Sequence, residues 1–327
     1  MVAHPGDGED GLVSKPLTET KANDLEPANF HTGLAWMAVN TFATVGIVFT
    51  NKAIFSDPSW KRCQLSFASF HFLITWMTLF VLSRPAFSYF VPRRASLQHL
   101  LPLAIAMCLN VILPNLSLAY SSITFYQVAR ILLTPTVAVM NYVLHGSKLP
   151  WLAIAALIPA CLGVGMVSYD ASIKTTSQLG IVFAFSGIFA SSLYTVWIAS
   201  YHRKLQMTSM QLLYTQAPIA SVLLLYAIPF VDAFPVWVDV ERHRWFMIGL
   251  SGGFASLINL SQFFIVAQAG PVSSTVVGHL KTCTIVAIGW ITSGRTLEDK
   301  AMVGVVVAIC GIMAYSIVML EHGGKPR

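Results

Sequence analysis

Three cations stand inside stretches that are otherwise apolar: Lys281 in the run Val277 to Trp290, Arg130 ahead of Thr134-Pro135, and Lys52 near the end of the first such run. A charged side chain at the centre of a bilayer costs about 2.5–3.5 kcal/mol on insertion scales, so each demands a compensating partner. None of the fourteen Asp and Glu residues falls inside an apolar run; all lie in tails, connections or run edges. Proton- and sodium-coupled carriers use buried acids, and here there is none to titrate. The natural counterion is an anion from solution. Arginine presents a planar fork and lysine a compact point charge, a pairing suited to phosphate or diphosphate oxygens.

The residues around these cations could shape such a site. Tyr126 and Gln127 precede Arg130 by one turn and offer hydroxyl, amide or stacking contacts on the same face. Gly278, three residues before Lys281, lets a ligand or an opposing helix approach the backbone. Thr282 and Thr284 either contact the ligand or bond back to helix carbonyls. His279 and His71 read first as packed neutral rings and second as ligand contacts, and no carboxylate or second histidine stands at metal spacing, so no metal or cofactor is expected. Tyr194, Trp197 and Gln216 could form a wall for a nucleobase, against the alternative of helix packing. Two cations have structural alternatives as well: Lys52 could snorkel to the interface, and Arg130 could bond carbonyls freed by Pro135.

The elements that must hold these groups are membrane helices. The 327 residues are 55% hydrophobic and 10% charged, with a mean hydropathy of +0.67, whereas soluble domains carry about 25% charged residues. Runs long enough to cross a hydrocarbon core are predicted at 33–55, 63–83, 98–120, 123–145, 150–169, 178–200, 209–231, 243–268, 272–293 and 299–319. The expected fold is therefore all-α, a polytopic membrane protein of ten transmembrane helices. Residues 1–32, with six acids, two lysines and three prolines, are expected to form a disordered cytosolic tail, and 321–327 a short cytosolic C-terminal tail. The net charge of +6 is spread over the connections, which gives nucleic-acid binding no support. The five cysteines, without CxxC spacing, are expected to be reduced packing thiols. No phosphate-binding Gly-Lys-Ser/Thr loop, His-Glu-x-x-His or Gly-x-Ser-x-Gly motif is present, and an enzyme is not expected.

The halves resemble each other. Asn115-Leu116-Ser117, Ser121-Ser122 and Arg130 recur as Asn259-Leu260-Ser261, Ser273-Ser274 and Lys281. Five spans separate the copies, and an odd number of crossings inverts the second, which predicts repeats at 33–169 and 178–319 with a site at the midplane between them. Ten lysines and arginines fall on the side of the termini and seven on the other, placing both termini in the cytosol.

At this point the motifs resemble a known family. The run from Ser117 to Arg130 with Thr134-Pro135, the segment Gly278-His279-Leu280-Lys281-Thr282, and Gln216-Ala217-Pro218-Ile219 are similar to the triose-phosphate and nucleotide-sugar transporter family of the drug/metabolite transporter superfamily. Within it the Lys-Thr subgroup, which includes plant carriers of UDP-xylose, UDP-rhamnose and UDP-galactose, is the nearest likeness. The resemblance implies two inverted five-helix repeats, alternating-access antiport and a Golgi or endoplasmic reticulum address. It also implies phosphate contacts from Lys52, following Asn51, and from Arg130 and Lys281. Plastid translocators carry Lys-Arg where this chain has Lys281-Thr282, and the Gly-Ala-Leu-Asn-Lys and Phe-Tyr-Asn-Asn motifs of GDP-mannose carriers are absent.

The expected function is thus import of a UDP-sugar into the Golgi lumen in exchange for UMP. The alternatives are a carrier of small phosphorylated metabolites exchanging with phosphate, an exporter of neutral compounds, and a membrane transferase. Whether two copies pair as a homodimer is left open.

Overall fold

A computed structural model of the protein describes residues 30–55, 57, 59, 60, 62–120, 129–168, 178–234, 240–293 and 299–323. Their helices are α1 (Phe30–Phe55), α2 (Gln64–Leu82), α3 (Leu97–Tyr120), α4 (Leu133–His145), α5 (Trp151–Ser168), α6 (Gln178–Leu205), α7 (Ser209–Val231), α8 (Arg242–Ser293) and α9 (Asp299–Gly323). No strand occurs among the described residues. Six helices are long and apolar enough to cross a membrane by length and composition, and large apolar side chains such as Phe42, Val139, Phe189, Phe230 and Met313 point outward, as lipid-facing residues must. The protein is a multi-pass membrane protein. Helix α1 starts at Phe30, three residues inside the segment expected to be tail.

Two breaks decide where the candidate site residues go. The spans predicted at 243–268 and 272–293 are two helical arms of α8 that meet at a break at Gly270, whose φ of 84° and ψ of 169° are open only to glycine. Pro271 then opens the second arm, where its missing N–H costs no helical bond, and Gln262 donates across the bend to Ser274. In the predicted span 123–145, residues 121–128 lie outside the described residues. Residues 129–131 are helical, the chain turns at Leu132, and α4 restarts at Leu133. Pro135 has no N–H for the carbonyl of Ile131, which accounts for the break at Leu132, two residues after Arg130. Helix α4 ends at Gly146 in the left-handed region, φ 64°.

Small residues set the closest approaches. Helix α1 runs antiparallel to the first arm of α8, from Gly33 against Gln268 and Ala269 to Gly46 against the ring of Phe254, with Trp36 stacked on Phe264 at 4.3 Å. Helix α3 packs on α6 in the same manner, Pro114 against Gly187 and the Ser117 hydroxyl on the carbonyl of Gly180. Two further contacts are reciprocal. Ser69 on α2 donates to the Ser221 carbonyl on α7 at 3.0 Å, and Ser221 donates to the Ser69 carbonyl at 2.9 Å. On α5 and α9, Gly163 abuts the backbone of Ala308 and Gly311 abuts the backbone of Ala160.

Connections are tied down by caps. Thr208 and Gln211 form a capping box at the start of α7. Asp232, just beyond α7, reaches the N-terminus of α2 and accepts from the backbone N–H of Leu65 and Ser66 and from the Ser66 hydroxyl.

Candidate functional site

Lys281 stands on the second arm of α8, eleven residues past the bend. It lies deep within the bundle yet keeps some accessible surface. Gly278, one turn earlier on the same face, looks onto open space: a Cβ added there would meet no atom within 4 Å. The charge that bears on Lys281 is that of Arg130, which is itself exposed at the end of the short turn before α4. An exposed arginine that acts on a deep lysine shares its space. Arg130 also borders a narrow crevice with Ser117 and Pro114 of α3 and Gly187 and Ser191 of α6. Two cations from different helices therefore stand close enough to act on each other, and neither helix carries an acid.

Immediately below this pair, toward the bend, the two helices are stitched together. The Thr134 hydroxyl and His279 Nε2 are 2.9 Å apart, and Cys161 of α5 lies 4.0 Å from the same nitrogen. Val137, Val272 and Val276 continue the contact into an apolar layer that reaches Tyr315 of α9, whose hydroxyl is 3.2 Å from that of Ser273. His279 is a buried structural link between α8, α4 and α5.

Several expected contacts sit elsewhere. Lys52 is exposed in the last turn of α1. Its neighbour Asn51 accepts from the Ser251 hydroxyl at 2.6 Å, and Ser251 lies 2.8 Å from His71 Nε2. Ser251 is nineteen residues before the bend and Lys281 eleven after it, so Lys52 stands beside the first arm of α8 and Lys281 on the second. Asn259 donates to Thr75. Gln216 is fully buried, its amide on the Leu103 carbonyl and the Met107 sulfur, and Tyr194 is in the same core; neither stands with the two cations. Tyr126 and Gln127 lie outside the described residues, as does the side chain of Thr282.

The reciprocal contacts are the feature that sequence reading passed over. The signal was present: Ala160-x-x-Gly163 recurs as Ala308-x-x-Gly311, 148 residues on. The link between Thr134 and His279 had no such signal, since two unremarkable residues 145 apart declare nothing until folded together.

Near the α1–α2 connection, Arg244 pairs with Asp57 at 3.2 Å and donates to the Ile54 carbonyl at the end of α1. Hydrogen bonds from the Ser59 side chain and backbone, and then Arg244, hold the Asp57 carboxyl below its ordinary range.

Comparison with known proteins gives these cations their setting. The chain is 30% identical to the UDP-rhamnose/UDP-galactose transporter 3 of Arabidopsis thaliana, over 87% of this chain and 82% of that one. It is 28% identical to UDP-rhamnose/UDP-galactose transporter 2 of the same plant, over 94% and 89%, and 26% identical to its UDP-xylose transporter 1, over 84% and 80%. No family model matches the chain. The fold is similar to that of a solved protein crystal structure at a TM-score of 0.68 and 10% identity, covering 89% of this chain and 99% of that one. These relatives are carriers, not enzymes, and their likeness runs through the helices that deliver both Arg130 and Lys281: the chain belongs to the nucleotide-sugar transporters of the drug/metabolite transporter superfamily.

Proposed function

We propose that this transporter moves a UDP-sugar into the lumen of the Golgi or the endoplasmic reticulum in exchange for UMP. The observation that carries the reading is the proximity of two cations, Arg130 and Lys281, whose charges act on each other. The sugar nucleotides in the names of its relatives supply the cargo class. Arg130 and Lys281 grip the phosphates from two sides, and Gly278 leaves room for the ligand against the helix. Lys52, exposed in the last turn of α1 beside the first arm of α8, acts on the charged ligand during passage and not in the grip itself.

Ten helices in two inverted halves provide the mechanical basis. The reciprocal pairs support it: Ser69 and Ser221 are 152 residues apart, Gly163 and Gly311 are 148 apart, and Arg130 and Lys281 are 151 apart. One pseudo-twofold axis through the first two contacts would relate the two cations as well. The packing of α1 on the first arm of α8 then corresponds to that of α6 on α3. Rocking of one half against the other exposes the central cavity to each side in turn. Both termini face the cytosol.

Electrostatics make the exchange obligatory. UDP-sugar, with one charge on each esterified phosphate, and UMP, a monoester whose second pKa is near 6, each bring about two negative charges at neutral pH. An empty carrier has to close around two like charges with no anion between them, at several kcal/mol on the insertion scale, so reorientation is fast only when loaded. In proteoliposomes, UDP-sugar uptake should need UMP inside. Uptake of equal rate into empty vesicles sinks the exchange mechanism, and competition by inorganic phosphate but not UMP points to small phosphorylated metabolites as cargo.

A further inference from the structure

Helices α4 and α5 follow each other in the chain, yet their backbones stay apart: both lie on α8, with α4 also on α6 and α5 on α9. The space between them is an outward-facing groove of about 700 Å³, within the ~300–1,000 Å³ of small-molecule sites. One wall is the α4 stripe Pro135, Val139 and Tyr142, and the other is the α5 stripe Ile154, Ile158 and Leu162. The spacings of three and four residues put each stripe on a single helix face. Val139, Ile158 and Leu162 are more than half exposed, so the groove takes an apolar occupant from the membrane.

Its polarity changes along its length. Gly146, in the left-handed region at the end of α4, turns the chain so that Ser147 and Lys148 close one end of the groove. Lys148 is exposed and, among the described residues, forms no ion pair. Ser147 also borders the recess lined by Arg203, so a second cation stands beyond that end, and no acid lines either space. The exposed Tyr142 and Trp151 lie next to it, as aromatic residues do at a membrane–water interface. From Trp151 to Leu162 α5 rises about 16 Å, half of a hydrocarbon core of about 30 Å. The lining goes no deeper than Leu162 and Pro135. A helix of a second copy would run the full thickness, whereas a groove that is apolar over one leaflet and cationic at its rim has the profile of a single lipid.

We propose that the groove is a site for an anionic phospholipid of the leaflet facing the α4–α5 connection, with an acyl chain between Val139 and Ile158 and the phosphate at Lys148. Basic residues beside an anionic leaflet gain attraction one by one. The inner wall gives the occupant a consequence for the central cations. Cys161 of the groove lies 4.0 Å from His279 Nε2, which is 2.9 Å from the hydroxyl of Thr134, four residues after Arg130. A chain seated between α4 and α5 therefore sets the spacing of the link that holds the Arg130 turn against the helix of Lys281.

The test is a lipid titration of the purified full-length chain in detergent, read by thermal shift, with phosphatidylserine and phosphatidylcholine of identical acyl chains. It uses no nucleotide and so stands apart from the exchange reading. Phosphatidylserine reaches half-saturation about fivefold lower than phosphatidylcholine in the wild type. Lys148→Gln, on an exposed connection, removes that preference, and Ile158→Trp, which fills the groove, removes it with Lys148 intact. Arg94→Gln, another exposed cation at the same end of the bundle, keeps it. The proposal is overturned when the two lipids act alike on the wild type, when the preference survives Lys148→Gln or Ile158→Trp, or when Arg94→Gln loses it equally, which marks diffuse attraction. Glycerophosphoserine, the headgroup without chains, gives no shift; a shift as large as that of the lipid overturns the proposal in favour of a soluble phosphate. A wild type that runs as a dimer and becomes monomeric with Ile158→Trp overturns it in favour of a second copy.

Discussion

Gly163 and Gly311 occupy equivalent places in one helix crossing: each presents a bare Cα to the partner helix exactly where that helix carries an alanine, Ala308 for the first and Ala160 for the second. A Cβ at Gly163 would fall 2.3 Å from the Ala308 nitrogen, and one at Gly311 would fall 2.4 Å from the Ala160 nitrogen. Backbone cannot turn aside, so either addition drives α5 and α9 apart. Gly163→Ala and Gly311→Ala should each cost about 3 kcal/mol, the upper end for overpacking. Because either one already opens the crossing, the double variant should lose clearly less than the sum. Thermal unfolding of the three variants in detergent measures this, and full additivity would show that the two contacts are independent.

Asp232 stabilises α2 from outside the helix. Its carboxylate takes the N–H groups of Leu65 and Ser66 at 3.2 and 2.6 Å and so fixes the end of α7 to the start of α2. No side chain at the N-cap position, Cys63, performs that task. Asp232→Ala should lower stability by about 1–2 kcal/mol, as loss of an N-cap does, while Asp232→Asn, which still accepts, should lose a few tenths of that. An equal loss in both variants would mean that the charge and not the hydrogen bonds matters. At Asp57 the sign of the pH effect follows from its lowered folded pKa: the contribution is present above the unfolded value near 3.9 and is lost as pH falls through the folded one.

Much of this arrangement was legible before folding, and the reason is the cost of charge in hydrocarbon. Arg130 and Lys281 could be picked out because no acid shares their apolar runs, and span limits followed from apolar length, as with α7, predicted at 209–231 and found at Ser209–Val231. Helix α6 runs to Leu205, beyond its predicted end at 200, because His202, Arg203 and Lys204 complement the carbonyl end of the helix instead of ending it. Side-chain partners were not legible. Asn51 looked like a substrate contact because it precedes Lys52, but its carbonyl oxygen is taken by Ser251 from a helix 200 residues away. Gln216 and Tyr194 read as a wall for a base, yet polar groups on apolar helices are as often consumed in packing, and only the register of α3 against α7 decides between the two.

Gly278 separates the need for space from the need for stability. Because an added Cβ meets nothing within 4 Å, Gly278→Val should unfold within about 0.5 kcal/mol of the wild type. The same methyl groups intrude on the volume in front of Lys281, and UMP-dependent stabilisation should fall with each added carbon in the series Gly, Ala, Val. A series that loses stability without losing UMP response would place position 278 against protein and not against ligand.

Arg130 and Lys281 should trade stability for binding. Two like charges that act on each other repel, and Lys281 lies deep in the bundle, so holding them costs the ligand-free protein stability. Replacing Lys281 by Met keeps most of the volume and removes one charge, and the ligand-free variant should melt at or above the wild type, by about 1 kcal/mol or more. Its UMP-dependent stabilisation should weaken sharply and its exchange activity should vanish, as expected where a site is built at the expense of the fold. Arg130→Met should behave alike. Because the two charges act on one ligand, the double variant should lose no more exchange than either single one. A large drop in ligand-free stability on either substitution would instead assign these cations to holding the helices together, and the reading of a phosphate grip would fall with it.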